Sequence, residues 1–309
     1  MKVFSGTANP VLTEHIVSYL GTTLGEIEIS RFPDGETFVK LRENIRGKDV
    51  YAVQPVCMPP NERLMELLIM IDAMRRASAQ RITAVLPYYG YARQDRKDQP
   101  RVPITAKLVA NLLVAAGADR ILTIDLHAQQ IQGFFDIPVD HLHAAPVFVK
   151  YLQEKQLSNV AVASPDTGGV KTAYDYAQRL DCGLVVVAKQ RKSPTEVEAF
   201  TLAGDVAGRA VLIVDDMTTT AGTLCSAASI IAAHGAKEIY AAVTHATITP
   251  LGLQRIRDSA ITELIVSDTI PLPPEAKGAP VTVLSVAPLL GEAIRRIHED
   301  ESVSSLFRP

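Results

Sequence analysis

Residues 211–223 read Val-Leu-Ile-Val-Asp-Asp-Met-Thr-Thr-Thr-Ala-Gly-Thr, and this stretch decides the class of fold. An apolar, largely β-branched run ends in two carboxylates, and a hydroxyl-rich loop leads into a helical pattern at 224–233. A strand, a loop and a helix in this order can hold a phosphate on loop N–H groups, hydroxyls and the helix N-terminus. The carboxylates suit sugar hydroxyls or hydrated Mg²⁺. The stretch therefore predicts a phosphorylated sugar as ligand, and the alternative is an acidic strand end with a threonine-rich turn.

Apolar runs of strand length alternate with helical patterns along the whole chain. The predicted strands span residues 50–53, 81–87, 120–125, 160–164, 184–188, 210–214, 238–244, 264–266 and 282–286. The predicted helices span residues 11–20, 62–78, 104–116, 146–154, 170–180, 222–233 and 289–298. This alternation indicates βαβ units and parallel sheets, and the near-continuous apolar strands fit sheets covered on both faces. The sequence therefore predicts an α/β fold.

The chain contains an internal repeat. Residues 115–121 (Ala-Ala-Gly-Ala-Asp-Arg-Ile) and 233–239 (Ala-His-Gly-Ala-Lys-Glu-Ile) each end a helix with glycine and lead into a strand that ends at histidine. We interpret the repeat as two similar α/β domains, residues 1–145 and 146–309, although convergence on a common helix ending would give the same pattern. Only the second half carries the 219–223 loop. The last helix, 289–298, is expected to pack on the N-terminal domain or to contact another subunit.

Composition excludes several classes of protein. The chain has 309 residues, of which 47% are hydrophobic and 21% charged, so it can bury two large cores. Its net charge of −3 lacks the basic excess of a nucleic-acid or membrane-surface binder. Cys57, Cys182 and Cys225 show no CxxC spacing, which favours a reducing compartment. With no apolar stretch of membrane-spanning length and no signal peptide before the strand-like start, we predict a cytoplasmic protein.

Polar side chains follow five of the predicted strands, at 88–96, 125–127, 165–169, 189–192 and 215–216. Ligands of open parallel sheets bind beyond the carboxyl ends of the strands. Asp125, His127 and Asp166 are therefore candidate metal ligands, with His127 acting through water or a nucleotide phosphate because Mg²⁺ prefers oxygen. For each residue alone, a capping or buried hydrogen-bonded side chain is the alternative.

Two further loops have the composition of anion sites. Gly168-Gly169 precedes a helix and allows close approach of a phosphate. Lys189, Arg191 and Lys192 form a cationic loop that could close over a transferring phosphoryl group. A solvated run of surface charge is the alternative for the second loop.

Residues 125–140 (Asp-Leu-His-Ala-Gln-Gln-Ile-Gln-Gly-Phe-Phe-Asp-Ile-Pro-Val-Asp) resemble the signature of ribose-phosphate diphosphokinases, also called phosphoribosyl pyrophosphate synthetases. The resemblance runs from the Arg-Phe-Pro-Asp-Gly-Glu segment at 31–36 to the 289–298 helix. It implies two phosphoribosyltransferase-like domains, each a mainly parallel sheet flanked by helices. It also implies transfer of the diphosphoryl group of MgATP to the 1-hydroxyl of ribose 5-phosphate, which gives AMP and phosphoribosyl pyrophosphate.

The resemblance assigns roles to individual residues. Ribose 5-phosphate would be bound by Arg191, Asp215, Asp216, Thr219, Thr220, Ala221, Gly222 and Thr223. ATP would be bound by Phe32 (stacked on adenine), Asp34, Gly35, Glu36, Arg93, Gln94 and Asp95. Lys189 and Arg191 would be catalytic, and Mg²⁺ would be held at His127 and Asp166, with Asp125 as a further candidate. Because the 32–36 loop reaches a neighbouring subunit in the family, a homo-oligomer is implied, usually a hexamer built from dimers.

The chain departs from the family pattern at two places. Position 219 is usually aspartate and here is Thr219, which keeps the main-chain N–H and can add a hydroxyl donor to the phosphate. The 97–102 loop lacks the Arg/Ser-rich composition of members controlled by phosphate and ADP, so that control is in question. These changes motivate one alternative, a catalytically silent regulatory homologue. Another is a true phosphoribosyltransferase, which would give the 125–140 segment no role.

Overall fold

The computed structural model describes residues 1–190 and 199–306 as two compact units. The first unit contains Met1–Ala144, Thr269–Pro271 and the C-terminal segment from Ser285. The second contains Ala145–Asp268 and Leu272–Leu284. The chain thus leaves the first unit after Ala144 and returns to it for the last helix.

Strands and helices alternate through both units, which confirms the predicted α/β class. The strands are β1 (Lys2–Ser5), β2 (Ile27–Arg31), β3 (Thr37–Leu41), β4 (Asp49–Val53), β5 (Arg81–Leu86), β6 (Arg120–Ile124), β7 (Val139–Leu142), β8 (Val160–Ser164), β9 (Gly183–Gln190), β10 (Ala199–Ala203), β11 (Ala210–Thr218), β12 (Glu238–Ala246), β13 (Glu263–Ser267) and β14 (Val281–Leu284). The helices are α1 (Pro10–Tyr19), α2 (Pro60–Arg76), α3 (Thr105–Ala116), α4 (Ala145–Glu154), α5 (Val170–Arg179), α6 (Gly222–Ala233), α7 (Pro250–Arg257) and α8 (Ala287–His298). Among the described residues, no helix has both the length and the apolar character needed to cross a bilayer.

A parallel sheet forms the centre of the first unit, with strand order β1-β4-β5-β6-β7. All five residues of β4 are buried, as expected for a strand covered on both faces. Its first residue, Asp49, is a buried carboxylate that accepts two hydrogen bonds from Arg81, at 2.7 and 2.9 Å. These bonds join the amino ends of β4 and β5. The parallel pairing of β5 with β6 places their carboxyl ends side by side, followed by the Arg93 and Asp125 segments.

The second unit contains a sheet of order β10-β9-β8-β11-β12-β13-β14, in which only the β9–β10 pair is antiparallel. Its core packs α6 and α7 against alternate residues of β11, including Val211 and Ile213. The repeated helix endings agree in conformation, since Gly117 (φ +118°) and Gly235 (φ +86°) are both left-handed. Each unit therefore centres on parallel strands and contains one copy of the repeat.

Several elements differ from the prediction. The strand predicted at 210–214 continues to Thr218, so Asp215 and Asp216 lie within β11 and not beyond its end. The hairpin β2–β3 was missed, because its apolar residues (Ile27, Ile29, Val39 and Leu41) alternate with polar ones and are only partly buried. The helix α7 was missed too, although Thr249 caps it and Pro250 begins it.

Candidate functional site

The phosphate loop, residues 219–223, joins β11 to α6 as the sequence predicted. Ala221 is left-handed (φ +54°, ψ +13°) directly before the first helical residue, Gly222. Main-chain N–H groups at a helix start have no partner within the helix and carry its positive dipole end. The loop therefore has the local geometry of an anion site.

Asp215 and Asp216 lie on β11, separated from the phosphate loop by Met217 and Thr218, and their carboxyl groups are close enough to interact. The N–H of Asp216 donates to Oδ1 of Asp215 at 2.9 Å. Burial raises the pKa of Asp215 to about 8, and the negative charges of Asp216 and Asp166 add to this effect. The hydroxyl donors of a sugar, or a hydrated metal ion, would stabilise the ionised form of this acid pair.

Asp166 follows β8, the strand that pairs with β11 on one side. Its Oδ1 accepts hydrogen bonds from the N–H groups of Gly168 (2.8 Å) and Gly169 (3.0 Å). The Gly168-Gly169 loop was predicted to approach a phosphate, but here both N–H groups are directed at this carboxylate. The negative charge of Asp166 also acts on Asp215, and carboxylate oxygens are the ligands that Mg²⁺ prefers.

The threonines of the phosphate loop are fixed by the segment after β12, which sequence reasoning missed. Thr247 donates its hydroxyl proton to the carbonyl of Thr218 (3.0 Å), so the hydroxyl of Thr219 is the donor in the 2.7 Å contact between these two side chains. The sequence suggested that this hydroxyl could donate to a phosphate. In the structure it donates to Thr247. The Thr-x-Thr-Pro run at 247–250 was the available signal, because it marks a helix start.

The predicted ATP residues Phe32, Asp34, Gly35 and Glu36 form the exposed loop of the β2–β3 hairpin. The N–H of Phe32 donates to the carbonyl of Glu36 (2.9 Å), and Gly35 adopts φ +93° to close the turn. The Phe32 side chain is 49% exposed, and its ring meets that of Phe38 edge-on at 5.5 Å. One aromatic face is thus held in place at the surface, as stacking on a base requires.

The other predicted ATP residues lie on the turn after β5. The side chain of Gln94 accepts from the Thr105 hydroxyl (2.5 Å) at the start of α3. Asp95 accepts from the side chain of Gln130 at 2.9 Å. This bond joins the 93–95 turn to the segment that follows His127. The first unit therefore brings a predicted ATP-binding segment next to a predicted metal-binding segment.

Asp125 takes part in a hydrogen-bond network directly after β6. It adopts φ +38°, and its carboxylate contacts Nδ1 of His143 (3.0 Å) and accepts from the N–H of Ala144 (3.2 Å). His141 accepts the N–H of Leu126 on its Nε2 at 2.9 Å. Ligand atoms of Asp125, His141 and His143 lie within 4.8 Å of one another, close enough for a metal ion. Because His141 uses Nε2 on the main chain, we interpret the network as support for the turn that carries the exposed His127.

The predicted catalytic residues are only partly covered by the structure. Lys189 belongs to β9, where its main chain pairs with that of Phe200. The strand is thus longer than the predicted 184–188. Arg191 and Lys192 of the predicted cationic loop lie outside the described residues. Both catalytic assignments stay predictions.

Comparison with known proteins gives one consistent result. A family model described as the N-terminal domain of ribose phosphate pyrophosphokinase matches residues 1–117, and one described as the phosphoribosyl synthetase-associated domain matches residues 191–308. A ribose-phosphate pyrophosphokinase of Gloeobacter violaceus is 53% identical over 100% of this chain and 93% of its own. One from Oceanobacillus iheyensis is 50% identical over 99% of this chain and 97% of its own. The crystal structure of phosphoribosylpyrophosphate synthetase from Mycobacterium smegmatis superposes with a TM-score of 0.92 at 40% identity, covering 97% of this chain and 99% of that one.

Proposed function

The chain belongs to the ribose-phosphate pyrophosphokinase family, and from that premise we propose that it transfers the diphosphoryl group of ATP to the 1-hydroxyl of ribose 5-phosphate. The products are AMP and phosphoribosyl pyrophosphate. The observation that carries the proposal is the acid pair of β11, followed two residues later by the phosphate loop at the start of α6. Relatives of this name match the full length of the chain, which disfavours the silent regulatory homologue.

The second unit offers hydrogen-bond donors to the phosphate of the sugar and hydrogen-bond acceptors to its hydroxyls. The phosphate loop offers N–H groups and hydroxyls to the 5-phosphate, and the helix dipole of α6 adds to their attraction. The carboxylates of Asp215 and Asp216 accept hydrogen bonds from the ribose hydroxyls. Because the 5-phosphate binds the donors of the loop and the ribose hydroxyls bind the carboxylates, the site orients the 1-hydroxyl away from the loop.

We propose Mg²⁺ as the metal, with Asp166, Asp215 and Asp216 as its oxygen donors beside ribose 5-phosphate and His127 beside the nucleotide phosphates. Mg²⁺ prefers carboxylate oxygens, and a bound cation would offset the burial and the negative charges that raise the pKa of Asp215. A bound Mg²⁺ supplies charge neutralisation to the transferring phosphoryl groups. Asp125 acts through the turn that it stabilises.

The nucleophile is the 1-hydroxyl of the sugar, so the protein needs to position and neutralise charge more than to react covalently. We assign the base to Phe32 and the polyphosphate to Arg93, Gln94 and Asp95, together with Asp34, Gly35 and Glu36 from the 32–36 loop of a neighbouring subunit. Lys189 and Arg191 are proposed to stabilise the transferring group. These roles rest on the family resemblance and on the exposure of the hairpin loop.

Two properties of the assembly and its setting are also proposals. We propose a homo-oligomer, a hexamer built from dimers, in which the exposed 32–36 loop completes the ATP site of a neighbouring subunit. We propose a cytoplasmic location because Cys57, Cys182 and Cys225 are all free thiols, which fits a reducing compartment.

The test is AMP formation by purified protein from ribose 5-phosphate and MgATP, with inorganic phosphate titrated from zero and ADP then added. Activity without phosphate, with ADP acting only as a competitor of ATP, would support both the enzyme and the loss of allosteric control through the 97–102 loop. Activity that requires phosphate would keep the enzyme and place regulation in other residues. No AMP at any phosphate concentration would refute the proposed function.

A further inference from the structure

The helix α7 packs against the phosphate loop, and its cap and Arg255 both hydrogen-bond to main-chain carbonyls of the loop. The N–H and the hydroxyl of Thr249, the cap of α7, both reach the carbonyl oxygen of Thr219, at 2.9 and 3.2 Å. The guanidinium of Arg255 donates to the carbonyl oxygen of Thr220 at 3.1 Å. Two successive carbonyls of the loop are therefore held toward α7.

Gly252 lets α7 come this close. A Cβ at position 252 would lie 2.7 Å from the carbonyl oxygen of Thr219 and 2.8 Å from Cγ1 of Ile248, closer than real side chains approach. Glycine inside a helix costs about 1 kcal/mol relative to alanine, so its presence here needs a reason. The reason is the contact between the helix and the loop backbone.

The orientation of these carbonyls determines where the loop N–H groups point. In a trans peptide the C=O and the following N–H point in opposite directions. Because the carbonyls of Thr219 and Thr220 face α7, the N–H groups of Thr220 and Ala221 are directed away from α7. Under the proposed function, those are the groups that face the 5-phosphate.

We propose that Gly252 and Arg255 are positioning residues for ribose 5-phosphate: without touching the sugar, they fix the peptide planes whose N–H groups bind its phosphate. They lie three positions apart and so share one face of α7. The inference rests on the proposed function of the loop. It adds that the affinity for ribose 5-phosphate depends on a helix that begins more than 25 positions after the phosphate loop in the sequence.

The chain supplies a matched control. Arg257 lies on the same helix and also donates to a carbonyl, that of Glu275 at 2.6 Å, but this carbonyl is outside the phosphate loop. Arg255→Met should raise the KM for ribose 5-phosphate roughly three- to tenfold, the effect of one lost hydrogen bond. The KM for ATP and kcat should change less than twofold, and Arg257→Met should behave like the wild-type protein.

Two further variants separate positioning from general stability. Gly252→Ala should raise the KM for ribose 5-phosphate at least as much as Arg255→Met does, because its methyl group displaces the Thr219 carbonyl. The melting temperature should fall little, because alanine favours the helix. Arg255→Ala should recover part of its ribose 5-phosphate affinity in millimolar guanidinium chloride but not in equal sodium chloride. A cleft of about 440 Å³ beside Arg255, lined by Cys225, Ser226, Ser229 and Ser259, gives the ion access.

The outcomes are distinguishable from failure of the proposed function. If the wild-type protein makes AMP but Arg255→Met and Gly252→Ala keep the wild-type KM for ribose 5-phosphate, the inference is wrong and the function stands. A parallel rise in the KM of both substrates would assign α7 a merely structural role and also overturn it. If the wild-type protein makes no AMP, calorimetric titration with ribose 5-phosphate decides: unequal affinity of wild type and Arg255→Met supports the inference, and equal or absent binding refutes it.

Discussion

Asp215→Asn should make the protein more stable at neutral pH while it abolishes the binding of ribose 5-phosphate. Asparagine keeps the shape of the side chain and the Oδ1 that accepts the N–H of Asp216 at 2.9 Å. It removes the ability to ionise and replaces the second carboxyl oxygen with an NH₂ group that only donates. The wild-type carboxyl lies among two other carboxylates, and its burial raises its pKa from 3.8 to about 8.

The size of the effect follows from this pKa. Between pH 4 and pH 8 the unfolded chain has lost the proton of Asp215 and the folded chain has kept it. The folded state therefore binds more protons, and wild-type stability falls as the pH rises through this window. Each pKa unit corresponds to about 1.4 kcal/mol, so at pH 7 the group costs on the order of 4 kcal/mol. The asparagine variant lacks this cost.

Urea unfolding followed by circular dichroism at pH 4, 6, 7 and 8 measures the effect. The stability difference between Asp215→Asn and wild type should be near zero at pH 4 and grow by at least 2 kcal/mol by pH 8. Asp181→Asn makes the same chemical change at an exposed site of the same unit and serves as the matched control. A difference that is constant with pH, or a less stable Asp215→Asn protein at pH 8, would refute the reasoning.

Three further predictions concern the first unit. Arg81→Met should lower the free energy of unfolding by about 3 kcal/mol, because it leaves the buried carboxylate of Asp49 without its 2.7 and 2.9 Å donors; a loss below 1 kcal/mol in thermal denaturation would contradict this. Phe32→Ala should raise the KM for ATP roughly tenfold, the usual cost of a lost base stack, and leave the KM for ribose 5-phosphate and the melting temperature unchanged. His141→Leu should cost about 1–3 kcal/mol, because the N–H of Leu126 loses its acceptor, and should raise the KM for MgATP; wild-type values of both quantities would argue against the support that we assign to His141.

Much of the fold could be predicted because buried parallel strands leave a plain pattern. The predicted strand at 160–164 and the predicted helix at 222–233 match β8 and α6 at both ends. The predicted end of β11 was wrong, since a strand normally ends where charges begin, whereas Asp215, Met217 and Thr218 continue the pairing with β12. The β2–β3 hairpin was missed because its residues are half-exposed and need the rest of the first unit to cover them.

The sequence by itself determined the α/β class, the family and the position of the phosphate loop, because each of these depends on residues close together in the chain. Only the tertiary structure decided that Asp215 is buried among carboxylates, that the Thr219 hydroxyl donates to Thr247, and that Arg255 holds the loop. Burial and hydrogen-bond partners depend on distances between residues that are far apart in sequence. Folding sets those distances by packing whole helices and strands, which no local pattern encodes.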